Sequence, residues 1–221
     1  MRSTLSTGGV LLCCLLPGTA QAEKVVLSES KWFPQIREQA GATCTVWGAV
    51  YNHYGYVVAR NFDWDAAGPD NSTKMAVYNI WSSWKNKGSH THNHIKHLAA
   101  YGCATWDVLP SNSGISQKVL NNALLQKHVA YEARALGDIQ GSQENLDHLK
   151  SLLRQGIPIP FVAKTKVSTM ELKDNPNSID DDAYVGELVQ KIGFNGTGHM
   201  MCFSGFNDDL WADLNNNDVI D

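Results

Sequence analysis

Apolar residues recur along this chain with two different periods. Val46, Trp47, Val50, Tyr51 and Tyr54 fall at helical spacing. They predict a helix over 44–54 with one buried face and Thr43 as its cap. The same period predicts helices near 73–84, 93–101 and 117–128. The clearest lies over 142–155, where Leu146, Leu149, Leu152 and Leu153 form a stripe and Gly156 and Pro158 stop it. The pattern then changes to strand-like runs at 157–162, 187–192 and 200–206. A short approach, 27–37, holds Trp32-Phe33-Pro34, a polar loop spans 63–71, and Asn207-Asp208-Asp209 reads as a turn. Helices gather early and strands late, so the expected class is α+β rather than alternating βαβ.

Residues 1–22 fit none of these elements and read as a secretory signal. Arg2 is the one early positive charge, and Val10–Leu16 is an apolar run well short of the about 20 residues a bilayer requires. Pro17-Gly18 breaks the run, and Ala20-Gln21-Ala22 fits a small-x-small cleavage site. A poorly ordered apolar N-terminus is the alternative. Cys13-Cys14 fits a lipoprotein site badly, because large leucines precede it. The expected location is therefore secreted or periplasmic, with 23–221 as the mature domain. Cleavage removes two of the 5 cysteines and leaves Cys44, Cys103 and Cys202. An odd count outside the cytoplasm marks one thiol with chemistry of its own.

Composition changes this picture little. With 43% hydrophobic and 18% charged residues the chain is an ordinary globular sequence. A net charge of −4 gives no footprint for nucleic acid or for an anionic membrane surface.

Cys44 stands at the predicted start of a helix, where unpaired N–H groups and the helix dipole favour a thiolate. Gln39, a few residues upstream, carries an amide that together with the Cys44 backbone N–H would make an oxyanion hole. His199 follows Gly196-Thr197-Gly198 and enters an apolar strand. Nucleophile and base far apart in sequence are what a spatially assembled Cys–His pair requires. On residues alone, a structural cysteine and an edge histidine remain the bland reading.

Trp32-Phe33-Pro34-Gln35-Ile36-Arg37-Glu38-Gln39 and Thr43-Cys44-Thr45-Val46-Trp47 resemble the nucleophile segment of papain-like cysteine peptidases, notably secreted bacterial forms without a long pro-segment. Tyr78-Asn79 and the segment from Gly102 to Pro110 resemble the group's substrate-side region. Gly198-His199-Met200-Met201, then Gly205-Phe206-Asn207-Asp208 and Leu210–Asn217, resemble the segment carrying its base. The resemblance implies a helical half followed by an antiparallel β half. It implies peptide-bond hydrolysis through a thioester, with Cys44 attacking, His199 as base and Gln39 stabilising the oxyanion. It also implies a peptide or protein substrate, a monomer, and no cofactor or metal. Three departures stand out. Glu38, not Gln39, occupies the family's usual spacing from the cysteine. Thr45 follows Cys44 where many members have Trp. An orienting Asn-Ser-Trp-Gly segment does not occur before Asp221. The last departure leads us to expect missing C-terminal strands and an unpaired apolar edge at 200–206.

Other groups compete for attention. His90, His92, His94 and His97 could bind zinc as part of a metal-dependent hydrolase, but no acidic ligand lies among them; a solvated loop entering a helix is the simpler reading. Cys103 and Cys202 are open to a disulfide or to two separate buried thiols. Asp213, Asn215, Asn217 and Asp221 are spaced like part of a calcium loop, yet Asp218 stands where Gly is wanted, which favours a polar turn. A non-catalytic papain-like peptide-binding module is the rival with the same fold.

Overall fold

The computed structural model describes residues 23–39, 43–78, 91–110, 115–127, 142–171 and 188–208, with side chains described for all of these except 91–92, 163–171 and 188–197. The first helical run is longer than its apolar stripe predicts. It passes without a break from α1 (Cys44–Val46) through a π-helical stretch (Trp47–Tyr54) into α2 (Gly55–Phe62). Tyr56, Val58 and Ala59 carry the buried face past Gly55, and Asp63 in the left-handed region ends it. Thr43 opens the run through its carbonyl, which accepts from Val46 and Trp47, and not through a side-chain capping bond.

The run is the centre of the core. Val46, Val50, Tyr51, Tyr54 and Val58 are no more than 2% exposed and pack with Met75, Val77, Leu98 and Cys103. Burying each such side chain is worth about 1.5–3 kcal/mol. α3 (Thr91–Tyr101) packs across the run, and α4 (Gln117–Leu125) packs on α3. Gly102 caps α3 with φ 71, and a Cβ there would collide with the Ala123 carbonyl of α4. The expected helix at 73–84 is not formed at its start. A 3-10 turn, Asn71–Thr73, leads into extended backbone, and Met75 bridges Thr105.

α5 (Gln143–Arg154) matches the sequence reading closely. Ser142 accepts from the Asn145 N–H at its start. At its end Gly156 N–H donates to Leu153 O and Ile157 N–H to Leu152 O, a Schellman cap with Gly156 at φ 74.

Two antiparallel pairs follow from long-range partners. β1 (Lys24–Val26) pairs with β4 (Gly205–Asn207), and β2 (Ile159–Glu171) pairs with β3 (Leu188–Phe203). β3 joins two of the expected strands through the glycine-rich stretch between them, which is itself strand with an irregularity opposite Thr165/Lys166. Residues 200–203 pair with β2 and 205–207 with β1, and each of these sheets has two strands among the described residues, so β3 keeps one side without a described partner strand, as expected for 200–206. The fold is therefore the expected α+β class, with a helical part first and antiparallel strands after it.

The loop after α2 is tied by one buried cation. Lys74 Nζ donates to Gly68 O at 2.5 Å and to Asp70 O at 2.6 Å, with Thr73 Oγ1 bonded to Asp65 O and Asp70 O. Burial pushes the Lys74 pKa down, while Asp70 and Asp65 oppose that shift.

Candidate functional site

Three segments meet around the start of the helical run. The first is the stretch 35–39, which belongs to no helix or strand. The Tyr51 hydroxyl donates to Gln35 O at 2.8 Å, and the Gln35 N–H donates to Ala66 O. Arg37 Nη2 donates to Asn71 Oδ1 at 2.6 Å, and its guanidinium lies 4.8 Å over the Trp106 ring. Trp106 in turn sits 5.8 Å from the Trp47 ring and 5.9 Å from the Tyr51 ring, so an aromatic bed supports this stretch. Burial pushes the Tyr51 hydroxyl up to about 12, against the opposing charge of Arg37. Exposure alternates at the end of the stretch: Ile36 and Glu38 are exposed, Arg37 and Gln39 half-buried.

The second segment is α1, where Cys44 is the first helical residue and half-buried. The third is β3, which packs against α1 and the π-helical stretch. A Cβ on Gly48 would lie 2.6 Å from Met200 Cγ and 3.2 Å from Met201 O, so only the absence of a side chain lets the strand approach so closely. Met200 is buried, and His199, its neighbour on the strand and the partner of Ala163 in the ladder, is half-buried. The elements bearing Cys44 and His199 are thus in direct contact.

Polar bonds join the same helical run to residues 155–158, which lead into β2. His53 in the π-helical stretch approaches Pro158 O with Nδ1 at 2.6 Å, as a ring that donates from Nδ1. Burial pushes its pKa down. Arg60 donates to Gln155 O at 2.8 Å and Gly156 O at 2.9 Å, and a Cβ on Gly156 would collide with that guanidinium.

Cys44, Cys103 and Cys202 are all free thiols, which decides the open disulfide question against a bond. Burial pushes the Cys103 thiol far up and the Cys202 thiol up to about 12. Both are poor nucleophiles at neutral pH.

Of the histidine cluster, His94 and His97 lie in the expected helix, now α3, while His90 lies outside the described residues. His94 is fully buried in α3, and His97 lies 4.9 Å from the Tyr101 ring with its pKa lowered by burial. Among the described residues no group of His, Cys, Asp or Glu could hold a metal ion. The calcium-like positions 213–221, and residues 1–22, lie outside the described residues. Among the described residues no helix is long and apolar enough to cross a membrane.

Sequence reasoning missed Arg37, Tyr51 and Trp106 as the support of the 35–39 stretch. Arg37 is only an ordinary cation in sequence, and its partners lie far along the chain. Gly48 was legible only as a small residue within a helical stripe.

The arrangement is α+β with the helical part leading. A solved structure that shares it is xylellain, a cysteine protease from Xylella fastidiosa, with a TM-score of 0.52 and 16% identity over 84% of this chain and 70% of that one. No protein-family model matches the chain, and no curated protein sequence matches it. The likeness is therefore one of fold.

Proposed function

We propose that this chain is a secreted or periplasmic, papain-like cysteine peptidase with Cys44 as nucleophile, His199 as base and Gln39 as oxyanion donor. The observation that carries the reading is the direct packing of the helix that Cys44 opens against the strand that bears His199, in a fold shared with a cysteine protease. Cys103 and Cys202, the other two thiols of the proposed mature domain, have pKa values raised by burial, which leaves Cys44 as the reactive candidate.

The Cys44 thiolate attacks the carbonyl carbon of a peptide bond, and the electron pair moves to the oxygen. The Gln39 amide and the Cys44 N–H stabilise that oxyanion, a donor being worth about 10²–10³ in rate. Protonated His199 gives its proton to the leaving amine as the C–N bond breaks. His199 then takes a proton from water, which attacks the thioester and releases the acid and the thiolate. Glu38 in the place of Gln39 would oppose the oxyanion, and its exposure supports Gln39 in the role.

The test is hydrolysis of a generic peptide amide with and without iodoacetamide. Cys44→Ala is expected to abolish hydrolysis and Cys103→Ala to retain most of it. Full activity in folded Cys44→Ala would sink the reading. A chain that binds peptides, reacts slowly at Cys44 and never cleaves would favour the non-catalytic module.

A further inference from the structure

We propose that Arg37 is a positioning residue that fixes the register of the stretch ending at Gln39, so that Gln39 rather than Glu38 faces the reaction. This rests on the Cys44 reading above. Arg37 touches three parts of the helical half at once. It donates to Asn71 Oδ1 at 2.6 Å, lies 4.8 Å over the Trp106 ring, and places its charge where it acts on the Tyr51 hydroxyl, which itself donates to Gln35 O. Lys74, whose ammonium orders the loop carrying Asn71, adds a like charge on the side facing Arg37.

From residue 36 to residue 39 exposed and half-buried side chains alternate. Arg37 and Gln39 are half-buried, while Ile36, at 92% exposure, and Glu38 face solvent. Locking Arg37 inward therefore locks Gln39 inward two residues later. A slip of one residue would exchange the amide for a carboxylate, because the half-buried Gln39 directly follows the exposed Glu38. A carboxylate there would repel the oxyanion instead of donating to it. An anchor is needed at this point because the spacing between Gln39 and Cys44 is short, and Arg37 is the last residue before Gln39 with fixed partners on the body of the protein. A lysine would keep the charge but not the planar fork that bonds and stacks together.

The experiment compares Arg37→Met, Arg37→Lys, Asn71→Ala, Gln39→Ala and the Arg37→Met/Gln39→Ala pair in the full chain. Each is measured for kcat and KM on a peptide amide and for the rate of Cys44 alkylation by iodoacetamide, a reaction with no oxyanion. Arg37→Met is expected to lower kcat by about 10²-fold, the usual result of misplacing a reacting group by an ångström. KM and the alkylation rate should stay near the parent values. The pair should be no slower than Gln39→Ala alone, since both changes remove the same donor. Arg37→Lys should recover only part of the loss. If Arg37→Met does not fold, Asn71→Ala decides, with the same split and a smaller loss. A pair whose loss is the product of the two single losses would overturn the proposal. So would alkylation falling in step with kcat, or Asn71→Ala matching the parent when Arg37→Met fails to fold. Hydrolysis that survives Cys44→Ala would instead overturn the underlying reading and leave the register argument without its reaction.

Discussion

In the helical part, Val46, Ala49, Val50, Tyr51, Tyr54, Val58 and Ala59 are packed to 2% exposure or less along one continuous run. In the stretch 157–208, the buried side chains among those described are Pro158 and Met200. The strands hold one another through their ladders and through stacked Phe161 and Phe203, 3.9 Å apart. They hold the helices through Met200 on Gly48 and through side chains reaching to backbone oxygens. The proposed nucleophile thus stands on a dense framework, and the proposed base stands on a strand whose buried side chain among those described is Met200, seated on Gly48. Perturbing the first should unfold the protein, whereas perturbing the second should first misalign the reaction.

The largest effect is expected inside the helical part. Gly102→Ala adds a Cβ in collision with Ala123 O at a residue with φ 71. A loss of more than about 3 kcal/mol in denaturant unfolding is expected, since strain and collision act together. Met200→Ala should cost about 2–4 kcal/mol by leaving a void over Gly48. Its peptidase activity should fade at lower denaturant than the tryptophan signal of the helical part; coincident curves would show that the two parts do not differ in this way.

A smaller effect concerns pH. Burial lowers the pKa of His53 and His97 in the folded protein. The unfolded chain therefore binds these protons first as pH falls through about 6.5, the ordinary histidine value. Stability should be full above that pH and decline below it. His53→Gln should flatten the part of this decline that acts at the helix–strand junction, read as melting temperature between pH 5 and 7. The smallest effect is expected where Arg154 pairs with Glu23 beside β1. Glu23→Gln removes an exposed pair, and its slight lowering of the melting temperature should vanish in high salt.

The sequence announced the elements whose signals are local. α5 has its serine at the start, its glycine at the end and its leucines between, so its limits needed no distant partner. α3 and α4 were visible for the same reason. The first helical run was cut short at Tyr54, because Gly55 reads as a stop although the apolar face continues past it. β1 gave no signal, since three residues become a strand only by pairing with Gly205–Asn207 far along the chain. The stretch between the expected strands 187–192 and 200–206 has no assignment from sequence, because glycine lowers strand propensity and only pairing of Gly193, Thr197 and Gly198 with β2 joins the two. At the candidate site, Cys44 at a helix start was legible from spacing. The support of Gln39 was not, because Arg37 finds Asn71 and Trp106 only after the chain has folded back.

The lysine in the loop after α2 has a practical side. Its amine is a cation joined to the chain by carbon bonds, so neither dilution nor a chelator can draw it out of its ring of oxygens. An amine-acylating reagent can reach it only when the loop comes apart, since Lys74 is fully buried. Its labelling rate, followed by peptide mass mapping, is a clock for local opening of the segment that carries Asn71, ticking independently of any substrate.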